Sequence, residues 1–483
     1  MPTLTIYQGP QVKTAEISAG TLLSDALRAA GASVALPCGG RGVCGKCAVQ
    51  VTGDVSAPNA AETALSVRLA CQTILNGDAQ VILPLPRSME IESGRAVCHK
   101  VIKPMGEGCG AAIDIGTTTL ALQLYDMATG KCLSAYSMLN PQTAVAADVI
   151  GRIDAALKGG LQALQKSITG ALRTMLACAA AEAGIAQDAV TSLVVTGNTT
   201  MLYLLTGKNP DALSHSPFEA DHLFGETSEL LGRSAYLPPC LHAFVGADIT
   251  TAILASGMCK KDETALLCDI GTNGELALWK DGKLYVTSTA AGPAFEGAGI
   301  RCGCASVTGA IDRVDVDGDE TVFHTIGEKE AVGLCGSGLI DAVAALLELE
   351  IIDETGAMDD DHFFTGEVYL APADVRAVQL SKAAIYAGIQ CLLDAAGCKE
   401  KDVASVYLAG GFGSHMNLYS AARIGLLPES FIPRVKVIGN AALDGAAALL
   451  LNTNAPLPTA AIHVNLGGNP KFNNLYMESM LFE

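Results

Sequence analysis
The sequence lacks any long apolar run. No window holds roughly 18 or more uninterrupted apolar residues, the length at which a membrane-spanning helix becomes a candidate, although half of the 483 residues are hydrophobic. The opening Met-Pro-Thr-Leu-Thr-Ile has no basic stretch followed by an apolar block, so no secretory leader is expected and the chain reads as cytoplasmic. Positive charge is short, with 31 Lys and Arg against 50 Asp and Glu and a net charge of −19. An acidic body repels phosphate backbones, which argues against nucleic acid as a partner. Aromatic residues make up 5% of the chain, with one Trp, and the eight His show no metal-ligand spacing. What remains is an apolar, glycine-rich composition that excludes disorder and collagen-like repeats and fits α/β domains with tight turns.

The acidity is uneven. Residues 1–90 hold six basic and six acidic side chains, so the whole excess falls in residues 91–483. The neutral part reads as one unit over 1–85: a hairpin of Thr3–Gln8 and Gln11–Ser18 around Gly9-Pro10, a helix over Thr21–Ala30, a Gly/Cys loop, and strands at Cys47–Thr52 and Gln80–Leu83. This order is that of a small β-grasp domain. Residues 86–109 read as a linker, with a strand expected near Ala96–Ile102.

From Gly110 strands and helices alternate. Three strands (Ala111–Ile115, Leu120–Tyr125, Cys132–Ser137) precede helices around 142–156 and 160–183, a strand at Ser192–Thr196, a helix from Thr199, a strand at His242–Val245 and a helix from Asp248. The pattern restarts with Ala265–Ile270, Glu275–Trp279 and Leu284–Ser288, then helices around 337–349 and 375–395, strands Ser405–Leu408 and Lys436–Ile438, and a helix from Ala441. This is an internal duplication, read as one lobe over 110–258 and a second over 259–483.

Cys38, Cys44 and Cys47 stand as C-x5-C-x2-C, and Cys71 follows after 23 residues. Three ligands on one loop and a fourth from a distant segment suit a 2Fe-2S cluster held by four thiolates. Gly39, Gly40, Gly42 and Gly45 let the backbone wrap such a cluster and aim N–H groups at its sulfides. Zinc is the poorer reading, because zinc sites usually pair two C-x2-C knuckles and only one is present.

The marker of the duplication is Asp114-Ile-Gly-Thr-Thr-Thr119 against Asp269-Ile-Gly-Thr-Asn-Gly274, 155 residues apart. In each copy a carboxylate closes a strand, a glycine permits a tight turn, and hydroxyl or amide donors follow. Gly116, Thr117 and Thr118 in one copy, and Gly271, Thr272 and Asn273 in the other, would clamp the β- and γ-phosphates of a nucleotide, with Asp114 and Asp269 placed to hold Mg2+ through water. A third element, Val406-Tyr-Leu-Ala-Gly-Gly-Phe-Gly413, is a buried strand ending in a glycine turn. Gly410 and Gly411 allow close approach to adenosine beside Phe412. Val194-Val-Thr-Gly-Asn198, Gly246-Ala-Asp248 and Val437-Ile-Gly-Asn-Ala441 read as connections between the lobes.

On the cysteine spacing, residues 1–85 resemble plant-type or adrenodoxin-type ferredoxins, the C-x5-C spacing being closer to the latter. The two phosphate turns and the third glycine turn, in this order, resemble the superfamily of sugar and acetate kinases, heat-shock chaperones and actin. The fusion of the two resembles the reductive activators of corrinoid proteins over nearly the whole chain. Asn140-Pro-Gln142, Asp148-Val-Ile-Gly-Arg152-Ile153, Gly292-Pro-Ala-Phe-Glu-Gly297 and Leu334-Cys-Gly-Ser-Gly338 match that family as well. The resemblance implies an α/β multidomain protein, with a β-grasp ferredoxin domain ahead of a duplicated actin-like ATPase. It implies a 2Fe-2S cluster, ATP and Mg2+ as cofactors. The activity implied is ATP-dependent transfer of one electron to a Co(II) corrinoid protein, restoring Co(I) for methyl transfer. A low-potential electron donor is the second implied partner, and a homodimer is left open. Members of that family often carry a sizeable extra domain where only about 25 residues intervene here. An ATP-gated chaperone for a corrinoid or iron–sulfur protein, and a small-molecule kinase with a redox-sensing cluster, are the alternatives. Cys302-Gly-Cys304 reads either as a redox or metal pair or as structural thiols. Arg152 reads as a helix-surface partner of Asp148 or as a cleft residue.

Overall fold
The structure is a computed structural model that describes residues 2–8, 11–30, 32, 34, 47–59, 62–63, 68–83, 100–413 and 415–482. The Gly9-Pro10 turn, Cys38, Cys44 and the Ala96 end of the expected linker strand lie outside the described residues. Lys100–Ile102, the described part of that strand, is not extended into a sheet. Two compact units emerge: Met1–Ser88 with Pro141–Ala155, and Met89–Asn140 with Ala156–Glu483.

In the smaller unit, Thr3–Gln8 alternates inward Leu4 and Ile6 with outward Thr3, which places it in a sheet with one buried face. Its antiparallel partner is Gln11–Glu16, and on its other side it runs parallel to Ile74–Ile82. Ala48–Val55 and the short Arg68–Leu69 complete the row, and Thr21–Leu22 pairs with Ile74–Ile82 off its end. The helix Leu23–Ala29 lays Leu23, Ala26 and Leu27 against Leu75 and Val81. The expected β-grasp is therefore present, with the helix two residues shorter at its start because Thr21 and Leu22 are drawn into the sheet.

The larger unit repeats one design. Cys109–Ile115, Thr119–Asp126 and Cys132–Leu139 form an antiparallel meander, and Val190–Gly197 adds in parallel beside the first of them. Ala265–Ile270, Gly274–Lys280 and Lys283–Thr289 form the second meander, with Ser405–Ala409 parallel to its first strand and Val435–Gly439 beyond. Each sheet has six strands. The expected strand at His242–Val245 is not one: it closes a tight turn by a single bridge. The sheet position beside Val190–Gly197 belongs instead to Arg233–Leu237, paired in turn with the polar Glu226–Leu230. A further hairpin, Ala310–Asp317 with Glu320–Thr325, also escaped the sequence reading.

The two halves meet along the helices Ala247–Ser256 and Ala441–Leu451. A Cβ at Gly445 would stand 2.0 Å from the Thr251 carbonyl oxygen, so glycine is what lets these backbones touch. Among the described residues no helix is long and apolar enough to cross a membrane.

Candidate functional site
The cysteine site belongs to the smaller unit. Of the four predicted ligands, Cys47 and Cys71 are described. Their Sγ atoms lie 3.3 Å apart, both residues are buried, and neither forms a disulfide. The Ala70 N–H donates to the Cys47 carbonyl, which joins the two segments. Thiols from distant parts of the chain thus converge at one buried point, as a cluster held by thiolates requires.

A residue that sequence reading missed fixes the second segment. The Glu62 carboxylate accepts from the Leu69 N–H at 2.9 Å, the Thr73 hydroxyl at 3.0 Å, Arg68 Nε at 3.1 Å and the Asn59 N–H at 2.9 Å. It therefore clamps the chain on both sides of Cys71. Burial works against its charge, but the Leu69 and Asn59 N–H groups, Arg68 and Thr73 outweigh burial and hold the carboxyl below the usual range. A lowered pKa contributes stability that is present above the unfolded value, about 4.3, and lost as pH falls through the folded value. Glu62→Gln is expected to cost about 2 kcal/mol at pH 7, since one partner of a buried hydrogen-bonded pair is lost. Thermal unfolding followed by circular dichroism should show that gap closing toward pH 3.

The second site is a cavity of about 320 Å³ in the larger unit. Every residue predicted for phosphate and adenosine lines it: Asp114, Gly116, Thr117 and Thr118; Asp269, Gly271, Thr272 and Asn273; Gly410, Gly411 and Phe412. The duplication thus brings both turns to one place. Each is built locally. Gly116 sits where a Cβ would be 2.6 Å from the Thr119 carbonyl oxygen, and the Gly271 N–H closes onto the Asn273 carbonyl at 2.9 Å.

Two asparagines tie the halves to the first turn. Asn198 caps the helix Thr199–Thr206, accepting from the Met201 N–H, and donates to the Thr117 hydroxyl at 3.0 Å. Asn440 caps Ala441–Leu451 in the same way and donates to Asp114 Oδ2 at 3.1 Å. Both lie in segments read from sequence as lobe connections. Asn140 donates from its side chain to the Gly116 carbonyl at 2.9 Å.

The structure adds three acids that were not expected as site residues: Asp248, Glu275 and Glu296. Burial pushes the Asp248 carboxyl up to about 8, with Asp114 and Asp269 adding to the rise. Burial likewise takes Asp114 to about 7, opposed by the Asn440 hydrogen bond and aided by Asp269. Asp269 rises to about 6, through burial and then Glu296. Glu275, opposite Asp269 in the antiparallel register, is held well above its usual range by burial and by Asp248 and Asp269. Burial and their mutual repulsion thus raise four carboxyls of one cavity together.

The walls suit a nucleotide. The Thr272 hydroxyl is buried with no hydrogen-bond partner among the described residues, an orphaned polar atom of the kind a ligand oxygen satisfies. A Cβ at Gly410, whose φ is +87°, would stand 2.7 Å from Asp269 Oδ1, whereas Gly411 faces open space. The Phe412 ring stacks on Phe295 with centroids 5.3 Å apart. Gly336, at the start of the helix Gly336–Glu348, lines the cavity and touches the Phe295 carbonyl so closely that a Cβ would lie 1.9 Å from it.

Cys302 and Cys304 bracket a short bridge in which the Cys304 N–H donates to the Leu334 carbonyl and the Leu334 N–H to the Cys302 carbonyl, both at 2.8 Å. Cys304 lines the cavity, while the Cys302 thiol lies 3.6 Å from the Glu367 carbonyl oxygen. Arg152 belongs to the smaller unit. It is fully buried and donates from Nε to the Ala146 carbonyl at 3.0 Å and from a terminal nitrogen to Gln142 at 3.4 Å.

Comparison with known proteins places both units of the chain by their domains. Residues 6–76 match the 2Fe-2S iron-sulfur cluster binding domain, residues 109–261 the RACo middle region, and residues 263–483 the C-terminal domain of RACo, the ASKHA domain. The corrinoid activation enzyme RamQ of Eubacterium limosum is 35% identical over 419 residues, covering 77% of this chain and 70% of RamQ. A Co(II) methylated amine-specific corrinoid protein reductase of Methanosarcina barkeri is 26% identical over 417 residues, covering 76% of each chain. The solved structure of a reductive activator for corrinoid, iron-sulfur protein aligns with a TM-score of 0.72 at 26% identity, covering 100% of this chain and 98% of that one. With a 2Fe-2S domain ahead of an ASKHA domain of the actin and sugar-kinase type, and with these relatives, the chain belongs to the RACo family of reductive activators of corrinoid proteins.

Proposed function
We propose that this protein is an ATP-dependent reductive activator, which passes one electron to a Co(II) corrinoid protein and returns it to Co(I). The observation that carries the reading is the convergence of both phosphate-type turns on one acid-lined cavity, in a chain whose other unit brings two buried thiols together. The relatives' names point to the corrinoid substrate. In this reading residues 1–85 carry the electron, 110–258 and 259–483 are the ATPase lobes, and Cys38, Cys44, Cys47 and Cys71 hold the cluster.

When bound, a 2Fe-2S cluster supplies one electron at low potential, near ~−400 mV in plant-type ferredoxins. The chain's own residues do the rest. Asp114 and Asp269 would hold Mg2+ beside the phosphates. Thr117, Thr118, Thr272 and Asn273 donate to the phosphates, and Gly410 and Gly411 make room for adenosine beside Phe412. Asn198 and Asn440 sense the first turn from two different helices. A nucleotide held between the turns therefore biases how the halves close. Closure favours the complex with the corrinoid protein only if the two states bind it differently. Energy input is needed because each ~59 mV of uphill potential costs about 1.4 kcal/mol for one electron.

The test is anaerobic. Reduced protein is mixed with its corrinoid protein and a low-potential donor, and Co(I) is followed by visible absorption with and without Mg-ATP. Co(I) should form quickly only with ATP. Equal rates without ATP would remove the ATPase from the mechanism. No Co(I) with either would leave an ATP-gated binding role.

A further inference from the structure
The Glu296 carboxylate lies between the two phosphate-type turns and engages both. Its Oε2 accepts from the Thr118 hydroxyl at 2.7 Å, and its Oε1 accepts from the Thr272 N–H at 2.9 Å. Thr118 comes from the first half of the duplication, Thr272 and Glu296 from the second. One side chain thus joins the halves across the cavity through donors that, on the reading above, serve a nucleotide phosphate.

Its backbone is not free to follow. Phe295 is 2% exposed and its ring stacks on Phe412. Its carbonyl is in contact with Gly336. On the other side, a Cβ at Gly297, whose φ is +73°, would lie 2.3 Å from the Cys304 carbonyl oxygen. Only the Glu296 side chain can swing, about a fixed turn, Ala294–Glu296.

We propose that Glu296 is a phosphate-displaced latch: it takes the hydrogen bonds of both turns until a nucleotide's outer phosphates claim those donors and expel it. This rests on the nucleotide reading of the cavity and adds a positioning residue to it. A carboxylate and a phosphate are both anionic acceptors, so they compete for one N–H and one O–H and repel each other when both are near. Binding of ATP exchanges a direct link between the halves, Thr118 to Glu296, for one made through phosphate. Loss of the outer phosphate lets the carboxylate return, which opposes rebinding and helps clear the site. The pair of arrangements gives the halves two discrete states, the bistable element that nucleotide-driven switching requires.

The test is isothermal titration calorimetry of the full-length protein with Mg2+ and three probes: a non-hydrolysable ATP analogue, ADP and AMP. Glu296→Ala removes the competitor and should tighten the ATP analogue about 10-fold or more, the worth of one or two hydrogen bonds to a charged group. ADP should shift less, and AMP, which does not reach the turns, should not shift. Glu296→Gln keeps the size and one acceptor oxygen, guards against misfolding of the alanine variant, and should shift the analogue in the same direction by less. An analogue affinity that is unchanged or weaker in both variants overturns the latch, as does an equal gain for AMP. A wild-type protein that binds none of the three nucleotides overturns the nucleotide reading itself, and the latch with it.

Discussion
Cys71→Ser should abolish the cluster while leaving the nucleotide cavity intact. Iron and sulfide should fall well below two per chain, the electron paramagnetic resonance signal of the dithionite-reduced protein should vanish, and ATP-dependent Co(I) formation should drop by more than about 100-fold. That bound follows because loss of residues behind the ligands alone typically costs about 10–100-fold, and a ligand should cost more. Cys47→Ser should do the same, since its sulfur stands beside that of Cys71 in the buried pocket. Nucleotide affinity should not move in either variant. A Cys71→Ser protein that keeps two irons and its spectrum would take Cys71 out of the ligand set.

Asp269→Asn should give the opposite pattern. Asp269 closes its strand at the mouth of the second turn, beside Gly410, and shares its buried surroundings with Glu296, Glu275 and Asp248. On the proposed reading, replacing its carboxylate removes a charge that would hold a cation against phosphate. The expected loss in ATP hydrolysis is about 10²–10³-fold, the cost of deleting one preorganised electrostatic group. Co(I) formation should fall with it, while the iron content and resonance signal stay at wild-type values. Asp114→Asn should behave likewise and should also alter the Asn440 contact to the helix Ala441–Leu451. Full ATP hydrolysis in Asp269→Asn would take Asp269 out of the proposed cation-holding set. The two variants together separate the electron carrier from the engine.

Much of this was legible because it is local. A strand that ends in Asp-Ile-Gly-Thr carries its own turn, and a second copy 155 residues later announces a duplication before any contact is known. The second meander illustrates the same point: Ala265–Ile270 has the ends read for it, from a short apolar run that stops at a glycine turn. Where the local signal was weak, the reading failed. Glu226–Leu230 is a polar edge strand whose pairing depends on Arg233–Leu237, and nothing in Glu-Thr-Ser-Glu-Leu marks it as sheet. His242–Val245 looks like a strand by composition but closes on itself instead.

The sequence by itself pointed to the β-grasp and duplicated architecture and to the residues of both phosphate-type turns that line one cavity, since each is announced by a local pattern. Only the tertiary structure decided that Asp248, Glu275 and Glu296 join Asp114 and Asp269, that Glu62 clamps the Cys71 segment, and that two cap asparagines reach the first turn. The physical reason is that a charge's role depends on what surrounds it. Strand register and burial place carboxyls from distant segments in one pocket, and neither register nor burial is written in the residues beside them.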